Sequence, residues 1–156
     1  MRLCLPAIVA LLLLRWPALA EQLKVGDTVP AISAKDQYGA EFVFTNTVRV
    51  LLVATEMAPA KAANLKLAQQ GAGFLEKHQA AFLMDIHAMP AVARYFALPK
   101  MRKYPHRIVL IETEETLKAF PAKPGCVTVL TLSSAERIEK IDYWHPHQES
   151  VSKYLP

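Results

Sequence analysis

The chain has 156 residues and a formal net charge of +4, from 18 Lys and Arg against 14 Asp and Glu. That length suits one domain able to bury an adequate core. The positive charge is scattered over Lys61, Lys66, Lys77 and the cluster Lys100, Arg102, Lys103, with no basic stripe interleaved with aromatics, which excludes a nucleic-acid partner.

In chain order, residues 1–20 carry Arg2, an apolar core from Ile8 to Leu14, and Ala18-Leu19-Ala20. This is the layout of a secretory signal peptide with a small-x-small cleavage site before Glu21. The apolar run is broken by Arg15 and is shorter than the ~20 residues a membrane span needs. A periplasmic or secreted location is expected, with no stable membrane insertion after cleavage. Cleavage also removes Arg2, Arg15 and Cys4, leaving 136 residues, a net charge of +2, and Cys126 without a partner for an internal disulfide.

Residues 21–156 show no repeat or long linker and read as one domain. Leu23 to Pro30 is an extended opening segment. Ile32 to Phe44 alternates around Asp36-Gln37-Tyr38-Gly39, which predicts a hairpin with Gly39 at positive φ. Val48 to Thr55 is an apolar, β-branched run expected of a strand covered on both faces. A helix is predicted from Pro59 to about His78, packing through Leu65, Leu67, Ala68, Phe74 and Leu75, with Gly71 and Gly73 weakening its last turns. Ala80 to Ile86 is a buried strand, Pro90 to Leu98 a helix ended by Pro99, and Arg107 to Ile111 a third strand. Glu114 to Phe120 reads as a short helix opened by Thr113, its acidic start suited to the helix dipole. Val127 to Leu132 and Arg137 to Tyr143 form an antiparallel pair turning at Ser133-Ser134-Ala135, and Gln148 to Leu155 a terminal helix. Strands alternating with helices, then an antiparallel pair, indicate an α/β fold with a mixed central sheet and helices on both faces.

The strand-to-helix corner reads Val53-Ala54-Thr55-Glu56-Met57-Ala58-Pro59-Ala60-Lys61. It resembles the W-A-T-W-C-P-P-C-R signature of thioredoxin-like proteins, with Met57 and Ala60 in the two cysteine places. The opening Val25-Gly26-Asp27-Thr28-Val29-Pro30, followed by Asp36-Gln37-Tyr38-Gly39, resembles that of peroxiredoxins and periplasmic thiol reductases. Val48-Arg49-Val50-Leu51, the Ala-Lys-x-x-Asn at 60–64 and Lys103-Tyr104-Pro105 are similar to the YtfJ family, small exported thioredoxin-like proteins that lack the cysteine pair. The resemblance implies a three-layer α/β/α thioredoxin-like fold with an N-terminal β-hairpin extension. Thiol-disulfide exchange needs an attacking thiolate and a resolving sulfur, and neither a thioether nor a methyl group supplies either. Peroxiredoxin chemistry likewise requires a cysteine near Met57.

Cys126 is the remaining thiol. It opens a strand that in the family begins beside a cis-proline facing the corner, and Pro124 precedes it by two residues. Because Gly125 and Cys126 intervene before the strand, the resemblance does not carry the cis bond over cleanly. With Lys123 the only neighbouring cation in sequence, Cys126 is expected to be a small buried hydrophobe; a single-thiol redox site is the alternative. Met84, His87 and Met89, with His145 and His147 flanking Pro146, have the ligand types for copper(I). Strand parity divides Met84 from His87 and Met89, however, so core packing is expected and no metal or other cofactor. Tyr143-Trp144 with His145-Pro146-His147 could serve as a partner-binding patch. No Ser-His-Asp set, P-loop or dinucleotide glycine pattern occurs. The expected role is non-catalytic binding of a protein, peptide or small ligand through Thr55, Glu56, Met57, Ala58, Pro59, Ala60, Lys61 and the 123–127 loop.

Overall fold

The computed structural model describes residues 21–156; the expected signal peptide lies outside them. Among the described residues seven strands form one sheet in the order β2-β1-β5-β4-β3-β6-β7, from β1 (Ser33–Asp36), β2 (Glu41–Val43), β3 (Val50–Ala54), β4 (Ala80–Asp85), β5 (Val109–Ile111), β6 (Val127–Leu132) and β7 (Ile138–Trp144). The helices are α1 (Met57–Gln70), α2 (Phe74–Lys77), α3 (Ala91–Met101) and α4 (Glu114–Lys118), followed by a 3₁₀ turn at Val151–Lys153. Strands β3, β4 and β5 run parallel, while β1 against β5, β6 against β3, and β7 against β6 are antiparallel. This is the α/β mixed-sheet architecture expected.

Every residue of β3 is buried, and the period of two sorts its side chains between the layers. Val50, Leu52 and Ala54 join Phe82, Met84, Val127, Val129 and Trp144 beneath α1 and α3, against Ala60, Ala63, Leu67 and Met101. Leu51 and Val53 point the other way, to Leu83, Val109, Leu130 and Ile138, where Val29, Ile32, Leu117 and Phe120 cover them. The hairpin forms where expected, with Gly39 at φ 86°. Asp36 organises it: its Oδ1 accepts from the N–H groups of Tyr38 and Ala40, each at 2.9 Å, and its Oδ2 meets Arg107 Nε at 3.0 Å.

Four local expectations are corrected. The helix begins at Met57 rather than Pro59 and is interrupted at Gly71 and Gly73, whose φ of 86° and 76° start a new axis for α2. Leu65 is 59% exposed while Leu67 is fully buried; a rotation of about 100° per residue puts Leu65 beside the core stripe, not within it. Pro99 lies inside α3 instead of ending it. The carbonyl deprived of its donor is that of Tyr95, the most exposed large hydrophobic residue in the described chain and so one open to solvent. The C-terminal segment makes only the Val151–Lys153 turn, capped by Ser150 and tied down through buried Val151.

Candidate functional site

Parallel strands β3 and β4 deliver their C-terminal ends to the same rim of the sheet, where α1 starts and the loop to α3 begins. Ligands of α/β sheets gather at such rims. Glu56 occupies the N-cap with extended φ and ψ of −122° and 145° but makes no capping bond through its side chain. Its carboxylate crosses to the neighbouring loop instead, where Oε2 accepts from the Gly125 N–H at 3.1 Å. Met57, the first helical residue, is 39% exposed, whereas Ala60 one turn later is fully buried beside buried Pro59. Thr55 is half-buried; Glu56, Ala58 and Lys61 are exposed. Position 57 therefore faces outward and position 60 inward.

The 123–127 loop is built by Pro124 and Gly125. The Cys126 N–H donates to the Lys123 carbonyl at 3.1 Å, and Gly125 has φ 73°; proline followed by a positive-φ glycine is the type II turn pattern. The described residues contain no cis peptide bond, so the candidate cis-proline at Pro124 is trans. Its place in the chain explains this, since the turn leaves Gly125 and Cys126 between Pro124 and the first residue of β6, Val127.

Cys126 is 2% exposed, as expected of a packed thiol, but its surroundings correct the reading in which Lys123 was its only basic neighbour. The return of β7 places His145 beside it, with Sγ 3.3 Å from Nε2 and 3.5 Å from Nδ1. Near-equal distances align the sulfur with neither nitrogen lone pair, a poor geometry for proton abstraction. Burial pushes the thiol pKa up; Lys123 opposes this, and Glu56 and Glu149 add to it. Labelling of native Cys126 by a thiol reagent at pH 7 is expected on the order of a hundredfold slower than in denaturant, with His145→Ala leaving the native rate unchanged. Rapid native labelling, lost in that variant, would make the pair a functional thiol site.

The methionines depart from the parity argument. Strand β4 ends at Asp85, so the turn after it carries Met89 back to the face of Met84, where it packs on the same core. His87 does not follow; its Nδ1 lies 2.8 Å from Asp85 Oδ1. Among the described residues no group of three or more His, Cys, Asp or Glu side chains could hold a metal ion. His147 is exposed and His145 half-buried against Cys126, so the pair is divided across the chain. Trp144 is fully buried, its Nε1 donating to the Glu149 carbonyl at 3.1 Å, which removes it from any surface patch.

Sequence reasoning missed a buried polar chain beneath α1. His106, 2% exposed, shares a 2.9 Å hydrogen bond between Nε2 and Asn64 Oδ1. Its backbone carbonyl accepts from Gln37 Nε2 at 2.9 Å, and Gln37 Oε1 accepts from the Ile108 N–H at 2.8 Å. Asn64 Nδ2 has only the Met84 sulfur, at 3.8 Å. Burial lowers the His106 pKa to about 4. Asn64 sits three residues after Lys61, on the same helical face, and could have been noticed as a polar residue in a run of buried ones.

The fold is thioredoxin-like. A peroxiredoxin-like protein from Aquifex aeolicus superposes with a TM-score of 0.59 at 10% identity, over 86% of this chain and 85% of that one. The thioredoxin domain of a thiol-disulfide oxidoreductase from Bacteroides vulgatus gives 0.55 at 12% identity, over 86% of this chain and 100% of that one. A protein from Bacteroides thetaiotaomicron described as a putative protein disulfide isomerase gives 0.54 at 12% identity, over 85% and 86%. No protein-family model and no curated protein sequence matches the chain.

Proposed function

We propose that this is an exported thioredoxin-fold protein, akin to the YtfJ family, that works by binding and not by dithiol catalysis. The observation that supports the reading is the corner itself, where the outward position 57 and the inward position 60 hold Met57 and Ala60 and so offer no thiol. Burial of Cys126 supports it over a single-thiol enzyme. The expected ligand surface is Thr55 to Lys61 with the 123–127 loop, two segments that the Glu56 carboxylate ties together through the Gly125 N–H.

The test uses the mature chain and reduced, carboxymethylated insulin B chain as a thiol-free extended probe. Amide chemical-shift changes confined to residues 55–61 and 123–127, with insulin disulfides left intact in a turnover assay, are the expected outcome. Turnover matching a dithiol enzyme and abolished by Cys126→Ala would replace the reading with the single-thiol one. Shifts elsewhere on the surface would move the site.

A further inference from the structure

All four methionines of the described chain line one cavity. It has a volume of about 280 Å³ and lies between α1 and α3, bordered by Met57, Lys61, Asn64 and Leu65 on the first and Ala97, Lys100 and Met101 on the second. Met84 of β4, Met89 of the following loop and Tyr104 complete the lining. The spacings explain the convergence: 57, 61, 64 and 65 share one face of α1, while 97, 100 and 101 share one face of α3. An engineered apolar cavity of about 150 Å³ takes up benzene, so this one has room for a larger apolar group.

Three features say what would enter. Unbranched thioethers make an adaptable apolar wall. Lys61 and Lys100 are exposed, make no ion pair among the described residues, and no carboxylate lines the cavity. Asn64, 3% exposed, borders the cavity with an amide nitrogen whose one partner is a thioether, a weak acceptor that leaves it able to donate to an oxygen.

We propose that this cavity binds a small apolar carboxylic acid, its hydrocarbon body among the methionines and its carboxylate between Lys61 and Lys100. Thioethers are also ligands for soft metal ions, but two ammonium groups at the mouth oppose a cation. The proposal rests on the binding role above and names the ligand class for the α3 side of the same corner.

The mature protein with ¹³C-labelled methionine methyl groups supplies four reporters. Titration with octanoate is expected to shift Met57, Met84, Met89 and Met101 together and saturably. Octanol and octylamine of equal chain length should bind at least about tenfold more weakly, and Lys61→Gln/Lys100→Gln should weaken octanoate about tenfold while leaving octanol unchanged. Ala97→Trp should block all shifts; the lysine variant, altered only at exposed positions, keeps the test valid if that one misfolds. Unmoved methyl signals with octanoate, or equal binding of octanol and octanoate, would overturn the proposal. So would shifts produced by silver(I) but not by octanoate, which would assign the cavity to a soft metal. If octanoate fails while carboxymethylated B chain still perturbs residues 55–61, the cavity proposal falls and the binding role stands.

Discussion

Acidification from pH 6.5 to 4 is expected to cost the folded state about 3 kcal/mol through His106 alone. The ring is buried among Asn64, Tyr104 and Phe82, with no carboxylate among its hydrogen-bond partners. Burial therefore lowers its pKa to about 4, from 6.5. Between those values the unfolded chain binds a proton that the folded chain refuses, so stability is fully present above pH 6.5 and falls as the pH drops toward 4. Below pH 4 both states are protonated and the loss levels off. Glu149, held at about 2 by its bonds to Lys153 and Tyr154, acts in a lower window. Urea midpoints at pH 7 and pH 4 measure the effect. In His106→Gln the absolute stability should fall, but the drop across this interval should be abolished. An undiminished drop in that variant would show that His106 is not buried in its neutral form.

Met57→Cys with Ala60→Cys is expected to produce a disulfide under mild oxidant and insulin reduction well above the wild-type background. Residues three apart on a helix have Cβ atoms roughly 5–6 Å apart, and a disulfide needs about 3.5–4.5 Å, a gap that a first turn can close by small adjustment. Position 57 is exposed and first in α1, so a thiolate there gains from the helix dipole and can meet a substrate. Position 60 is fully buried, which suits a resolving sulfur and costs about 1–3 kcal/mol for the added volume. The Glu56 carboxylate at the N-cap opposes a thiolate next to it, so adding Glu56→Gln should raise the rate further. Two free thiols persisting after oxidation would mean that the corner is not built as described.

Much of this architecture was legible along the chain because its signals are local. An unbroken apolar run made β3, Asp36 and Gly39 made the hairpin, and Val127 to Leu132 was found with both its ends. Helix boundaries were less legible. Pro99 breaks a helix only when the carbonyl it strands is buried, and here that carbonyl belongs to exposed Tyr95. The C-terminal segment forms only a turn because Val151 is its one fully buried residue, and helices draw most of their stability from packing an apolar face.

The residue types at the corner were determined by the sequence alone: Met57 at the outward position and Ala60 at the inward one, with Cys126 the sole thiol after residue 20. What surrounds them was decided by tertiary structure. His145 reaches Cys126 across 19 residues because β7 returns beside β6. Met89 rejoins Met84 because β4 stops at Asp85 and ends the alternation that would have separated them. Lys61 and Lys100 face one cavity because α1 and α3 pack side by side on one face of the sheet. Strand and helix periods are written within a dozen residues, but the neighbours of a side chain depend on which elements the sheet brings together, and that is fixed only when both faces of the sheet are covered at once.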